Sequence, residues 1–365
     1  MLNLLRSPGD GELLTLYTFE SRGLGRDDKE ENIIEGILLA RNPYRAYPIV
    51  SGVPIMLESS FSHEFLARHA NAIARDETLS KLSLRPHDNS GWSFSAEWEQ
   101  HFNADLSKTW GWTVEQRVQQ FFLETQTSPD WCKGKLILDA GCGNGQLSES
   151  LSELGAIVIA LDYSTSVFSA ERRRRSSSVH FAQGDLQTPP FVPGTFDLIV
   201  SNGVLHHTPD TAQAFRAVGQ LVKPGGRFYL WLYRRPGNFL RSYLYYPLLD
   251  LARLMTSRLS PGLQQRVVEV YAAVMMLIQK ITGKYKNHSW RERITLAYDT
   301  LTPMWRHYHT PYEVSFWFFL NGFSPPMLSH WDNPNGFGMV ATKVLQTDTP
   351  GVNFGKTGIV KRYWK

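Results

Sequence analysis

The stretch Leu136-Ile137-Leu138-Asp139-Ala140-Gly141-Cys142-Gly143-Asn144-Gly145 constrains the fold more than any other part of the chain. A strand-length apolar run ends in an acid and opens into three glycines at alternate positions. Glycine adopts backbone conformations closed to other residues and lets the chain pass close to a ligand, so the run predicts a strand turning sharply into a helix beside a binding crevice. The rhythm repeats downstream. Apolar runs at 156–162, 179–185, 196–202 and 227–233 are separated by helix-length segments. Strands that are apolar throughout must be covered on both faces, which predicts a doubly wound α/β architecture around a mostly parallel sheet. Thr310-Pro311-Tyr312-Glu313 opens a further helix, with Gly322 just past its end. Asn335-Gly336 marks a hairpin between two last strands, completing a sheet of seven.

At 365 residues the chain exceeds the size of one compact core, so accessory parts are expected. Residues 1–60 read as a small β module and 61–130 as an aromatic-rich helical segment. The α/β domain takes 131–235 and 309–347, interrupted by an inserted helical lid at 236–308, and 348–365 form a C-terminal tail. In the second segment Trp92, Phe94, Trp98, Phe102, Trp110, Trp112, Phe121 and Phe122 suit a helical layer packed on the next domain, or a cap over a pocket. Within the lid, Tyr243–Leu254 and Gln264–Ile281 are helical in spacing. Val267, Val268, Val270, Tyr271, Val274, Met275 and Ile278 cover more than one face of the second, which predicts burial against the body of the protein.

Hydrophobic residues at 42% and charged residues at 20% are the balance of a folded globular protein. The net charge is only +4, and the dense basic run Arg172–Arg175 falls on a helix surface, a solvated face or a phosphate or RNA patch. No apolar stretch reaches eighteen residues, and acids follow soon after the short apolar start. Neither a membrane span nor a signal peptide is expected, no membrane partner is anticipated, and the cytoplasm is the expected location. Cys132 and Cys142 are too few for a disulfide framework or a four-cysteine zinc site, and no metal is expected.

The Gly-x-Gly-x-Gly turn preceded by an acid differs from the Gly-x-Gly-x-x-Gly of dinucleotide sites. Asp139, Gly141, Cys142, Gly143, Asn144 and Gly145 together resemble the first motif of the class I S-adenosylmethionine-dependent methyltransferases, whose loop wraps the methionine part of the cofactor. The resemblance implies a Rossmann-like fold and S-adenosyl-L-methionine as cofactor. It also implies roles for three later strand ends: Asp162, with Tyr163 after it, accepts the ribose hydroxyls; Asp185 and Leu186 face the adenine; Asn202 and Gly203 lie beside the methionine carboxylate and sulfonium. Gly203-Val204-Leu205-His206-His207-Thr208-Pro209-Asp210 and Leu221-Val222-Lys223-Pro224-Gly225-Gly226 fit the same family. Residues 1–60 resemble the zinc-ribbon-like Trm112 family in Tyr47-Pro48-Ile49 and Gly52-Val53-Pro54. Ser7, Asp10, Ala40 and Pro43 stand where that family has cysteines, which implies a metal-free module held by apolar residues alone.

On the acceptor side, His206 and His207 follow the fourth strand at the sheet edge where ligands bind in such folds. They are candidates for a catalytic base, with a helix cap or structural bond as the alternative. Trp112, His307 and His309 are candidates for substrate contact. Three functions remain open: methylation of a small-molecule acceptor in a lidded pocket, methylation of RNA, and a partner subunit with the fold but no activity. The Asn/Asp-Pro-Pro-Tyr/Phe signature of amino-directed nucleic-acid methylation is missing from Ser201-Asn202-Gly203-Val204, so a nucleic acid is the less favoured acceptor. The oligomeric state is not encoded in any motif.

Overall fold

The computed structural model describes residues 1–23, 31–41, 44–58, 61–84, 108–109, 112–237, 240, 244–282, 289–329 and 335–345. The expected aromatic residues Trp92, Phe94, Trp98, Phe102 and Trp110, Pro43 and the tail 348–365 lie outside the described residues.

Four strands open the chain: β1 (Leu14–Gly23), β2 (Glu31–Arg41), β3 (Tyr44–Val50) and β4 (Val53–Met56). Helix α1 (His63–Arg75) follows, then the short pair β5 (Lys108–Thr109) and β6 (Trp112–Thr113), α2 (Val114–Thr125) and the single turn α3 (Pro129–Cys132). The alternating part runs β7 (Leu136–Ala140), α4 (Gln146–Glu153), β8 (Ile157–Asp162), α5 (Ser166–Arg172), β9 (Val179–Gly184), β10 (Phe196–Asn202), α6 (Thr211–Gly219) and β11 (Val222–Tyr233). Three helices fill the segment expected as a lid, α7 (Tyr246–Thr256), α8 (Pro261–Ile281) and α9 (Trp290–Leu301), before α10 (Pro311–Leu320), β12 (Met327–Ser329) and β13 (Gly336–Thr342).

Seven strands stand in the order β9-β8-β7-β10-β11-β13-β12, parallel except for β13, which runs antiparallel to both of its neighbours. The fold is Rossmann-like. The chain leaves β7 toward β8 and β9 on one side and returns to β10 and β11 on the other, which opens a crevice at the carboxyl ends of β7 and β10. Alternation explains why the strands are apolar throughout. Leu138, Ile159, Leu161 and Ala182 point into one core, whereas Ile137, Val158, Ala160 and Phe181 point into the other on the opposite face.

The N-terminal strands keep a core of their own, Ile37 and Leu39 with Phe61, Phe65 and Leu79, and also join the central sheet. β4 pairs in parallel with β9 (Ile55 with Gln183, Met56 with Gly184), so β1 to β4 extend the central sheet to eleven strands. Leu38, Tyr47, Ile49 and Met56 share a core with Leu138 and Leu161, and the Ser7 hydroxyl lies 3.1 Å from the Tyr47 hydroxyl. Strand pairing with a remote segment leaves no local mark in the sequence.

The lid also departs from expectation. α8 buries Val268 and Ala272 against Ile294, Ala297 and Tyr298 of α9, a helix the sequence pattern did not reveal. Val267, Val270, Val274 and Ile278 are exposed instead of buried against the body. The arginine run makes local pairs, Arg172 donating to Ser169, Arg174 pairing with Glu171 at 2.9 Å and Arg175 with Glu153 at 2.9 Å, while Arg172 and Arg175 stay exposed.

Candidate active site

The crevice is lined on one side by the turn after β7. Gly141, Gly143 and Gly145 have φ of +93°, +54° and +74°, the left-handed region that favours glycine. Two are also required by the protein itself: a Cβ on Gly141 would sit 2.3 Å from the Val204 side chain, and one on Gly145 would sit 2.7 Å from the Phe181 ring. The loop is pinned from behind. Gly141 and Cys142 donate backbone N–H groups to the Leu161 carbonyl at 2.7 and 3.2 Å, and Gly143 donates to Asp162 Oδ2 at 2.8 Å. Cys142 is buried, which pushes its thiol far above the ordinary range, so it packs and does not react.

Asp139 is buried at the end of β7 and accepts a 2.6 Å hydrogen bond from Ser148 Oγ. Burial pushes its carboxyl up to about 6, against the opposing pull of Ser148 and Arg117. Arg117, on α2, also donates to Gln146 Oε1 at 3.4 Å and so borders the loop. The sequence reading missed Arg117, since nothing local ties α2 to β7. Asn144 Oδ1 accepts from the Gln146 N–H at 3.2 Å at the start of α4, whereas its Nδ2 is buried without a hydrogen-bond partner among the described residues. A buried donor left open beside a glycine turn is a feature that a bound ligand would complete.

The remaining strand ends converge on the same side. Asp162 Oδ1 accepts from the Ser164 N–H and hydroxyl at 2.8 and 2.7 Å, and its other oxygen holds the Gly143 amide with lone-pair capacity to spare. Burial raises its carboxyl, against these hydrogen bonds. Tyr163 next to it is 51% exposed, a ring face open to a ligand. Asp185 accepts from the Gln187 N–H at 2.8 Å, and burial raises it too. Leu186 turns its side chain into the core, so a ligand there would meet its backbone. Asn202 is exposed at the end of β10, and Gly203, at φ +79°, donates to the Trp231 carbonyl at 3.1 Å.

The histidines form a second group, joined to the lid. His206 is fully buried with neither ring nitrogen hydrogen-bonded among the described residues, its ring 4.1 Å from that of Tyr233. Burial holds it well below the ordinary histidine range, with His207 and Arg306 adding repulsion, so it is neutral. His207 is not free in the way a base requires. Its Nδ1 lies 3.0 Å from the Trp305 carbonyl and its Nε2 lies 3.5 Å from Asp299 Oδ1. Asp299, on α9, also accepts a 2.6 Å hydrogen bond from the Tyr233 hydroxyl and faces Arg306 at 3.4 Å. Burial alone would raise Asp299, but Arg306, His207 and Tyr233 outweigh it and hold its carboxyl far below the usual range. Tyr233, Asp299 and Arg306 are therefore site residues that sequence reasoning missed.

His307 and His309 split. His307 Nε2 lies 3.1 Å from the Thr208 carbonyl, and its backbone N–H donates to the His206 carbonyl at 2.9 Å, so it seams the lid to the turn after β10. His309 Nδ1 lies 3.2 Å from Glu313 Oε1, and its Nε2 is buried without a partner among the described residues. Trp112, exposed on β6, makes no hydrogen bond or ring contact with these histidines among the described residues. No group of three or more His, Cys, Asp or Glu among the described residues has the arrangement of a metal site.

Residues 138–230 match the model of a methyltransferase domain. The matched span runs from β7 through most of β11, which is the glycine turn, Asp162, Asp185, Asn202 and the histidine pair. A ubiquinone biosynthesis O-methyltransferase of Pseudomonas paraeruginosa is 37% identical over 112 residues, 29% of this chain and 48% of that protein. One from Coxiella burnetii is 34% identical over 116 residues, 31% and 48%. The chain thus spans about half the length of the curated relatives it matches. Among solved structures, an S-adenosylmethionine dependent methyltransferase from Mesorhizobium loti is 18% identical with a TM-score of 0.40, covering 64% of this chain and 100% of that one.

Proposed function

We propose that the protein is an S-adenosylmethionine-dependent methyltransferase acting on a small-molecule hydroxyl acceptor beneath the lid. The observation that carries the reading is the joining of lid to sheet edge: Trp305 and Asp299 hold His207, and His307 holds the turn after β10, directly beside the crevice that the glycine turn lines. A site covered by the inserted helices would suit a small acceptor better than a nucleic acid, and the pairing of Arg174 with Glu171 and of Arg175 with Glu153 leaves less positive charge for an RNA patch. The printed name of the relatives, an O-methyltransferase, supports a hydroxyl as the acceptor group.

The residues of the crevice suit this cofactor. Asp162 would take the ribose hydroxyls, Tyr163 and Asp185 the adenine, Asn144 Nδ2 and the glycine turn the methionine end, and Asp139 with Asn202 its polar groups. When bound, S-adenosylmethionine supplies an electrophilic methyl group on a sulfonium. The chain's own work is to hold the acceptor in line and to accept its proton. His206 is the candidate for the second task because both its nitrogens are unclaimed by the described residues, even as burial lowers its basicity. His207 is a positioning residue, fixed by Asp299. The N-terminal strands, similar in sequence to Trm112, act in this reading as a fixed edge that braces β9 and with it Asp185, supported by the pairing of Met56 with Gly184.

Incubation with methyl-labelled cofactor and a set of hydroxylated small molecules, with bulk transfer RNA alongside, tests the proposal. Label is expected on a small hydroxyl compound, and transfer to RNA alone would refute it. His206→Ala is expected to lower turnover about 100-fold while cofactor affinity stays within about twofold. Undiminished turnover in that variant would leave positioning alone as the mechanism.

A further inference from the structure

The lid carries surface that methyl transfer does not explain. On α8, Leu263, Val267, Val270, Val274, Leu277 and Ile281 are exposed, at spacings of four and three residues. At 100° per residue these six fall within an arc of about 80°, with Val268 and Ala272, the residues buried against α9, on the far side. α7 repeats the arrangement. Leu249, Arg253 and Thr256 are buried, and Leu248, Leu251 and Met255 are exposed on the opposite side. Exposed apolar stripes on two helices that both pack against α9 mark a surface without a partner among the described residues.

Charge decides which partner. Residues 236–308 hold ten Lys and Arg against four Asp and Glu, whereas the other residues hold 28 against 30. The basic excess of the chain is thus concentrated in the lid, and Arg258, Arg266 and Lys280 stand exposed beside the stripes. A second copy meeting this face would set like charge against like. An anionic bilayer offers both what the stripes need and what the rim needs, an apolar interior and negative headgroups.

We infer that α7 and α8 dock the protein on the surface of an anionic membrane, with their apolar stripes in the headgroup boundary and the basic residues among the lipid phosphates. No described helix is long and apolar enough to cross a membrane. The expectation of no membrane partner rested on the lack of a span, and a helix lying in the interface plane needs neither that length nor uniform apolarity. The inference stands apart from the methyl-transfer reading, because cofactor affinity is measured separately.

Flotation of the full chain with phosphatidylcholine vesicles containing about 30% phosphatidylglycerol, and with phosphatidylcholine alone, tests it. The protein is expected to float with the anionic vesicles, about tenfold less with the neutral ones, and less at about 0.5 M salt. The double variant Val270→Glu/Val274→Glu is expected to lose flotation about tenfold or more, with thermal unfolding and S-adenosylhomocysteine affinity unchanged. If it does not fold, Val270→Ser/Val274→Ser takes its place. Absence of flotation, flotation of the folded variant equal to the natural chain's, or a dimer in sedimentation velocity that the substitutions dissociate while no vesicle binds would each overturn the inference.

Discussion

The glycine turn and the histidine cluster sit beside one crevice yet are built in opposite ways. Around the turn, bonds run between residues close in sequence or between adjacent strands: Gly143 to Asp162, Ser148 to Asp139, Gly141 to Leu161. In the cluster, His207 meets Trp305 across 98 residues and Tyr233 meets Asp299 across 66. A site written on one βαβ unit is held by the sheet, whereas a site shared with an insertion is only as ordered as the docking of that insertion. The two halves should therefore fail separately.

The sharpest way to break the comparison is Asp299→Ala. Removing the carboxylate that Arg306, His207 and Tyr233 share leaves a buried cation unpaired, at a cost of about 3–5 kcal/mol. Hydrogen exchange should accelerate across α9 and leave β7 and β8 protected, with cofactor affinity kept. Loss of protection in the central sheet would show that the halves are one unit. Gly141→Ala strikes the other half. The left-handed φ and the overlap with Val204 together cost about 3 kcal/mol, read as a lower midpoint of unfolding with cofactor binding lost. Asp162→Ala should be milder for folding and weaken S-adenosylhomocysteine about 30-fold by titration, since a ribose acceptor and the anchor of Gly143 go together. Unchanged affinity in the folded variant would end the ribose assignment.

Asp139 supplies the smallest test, through pH. Its folded carboxyl lies at about 6, above the usual 3.8, so the native state binds the proton more tightly than the unfolded chain. Its contribution favours the fold below the usual value and is lost as pH rises toward about 6. Asp139→Asn should flatten stability over that window by about 1–3 kcal/mol, allowing for the other acids that titrate there. In the opposite sense, affinity for the cationic S-adenosylmethionine should rise as Asp139 ionises, and a flat binding profile from pH 5 to about 7 would remove it from the cofactor end.

The fold was legible because its signals repeat. Each apolar run sits on a strand, and the acids at 139, 162 and 185 fall at strand ends, since a parallel sheet buried on both faces permits polar residues only there. His207 shows the limit. Its position after β10 was readable, but the carboxylate and carbonyl that occupy its nitrogens come from α9 and from Trp305 beyond its end, neither with a distinctive sequence pattern. Asp299 was a lone acid in Leu296-Ala297-Tyr298-Asp299, which reads as an ordinary surface residue until Arg306 and Tyr233 are beside it.

The sequence by itself determined the doubly wound domain, the cofactor turn and the strand-end acids, because glycine geometry and apolar periodicity act over a few residues. Only the tertiary structure decided that the first four strands extend the central sheet, that His206 and not His207 keeps its nitrogens open among the described residues, and which way the stripes of α7 and α8 face. Those outcomes depend on which remote surface each element packs against, and one helix pattern serves a stripe turned inward or outward equally well.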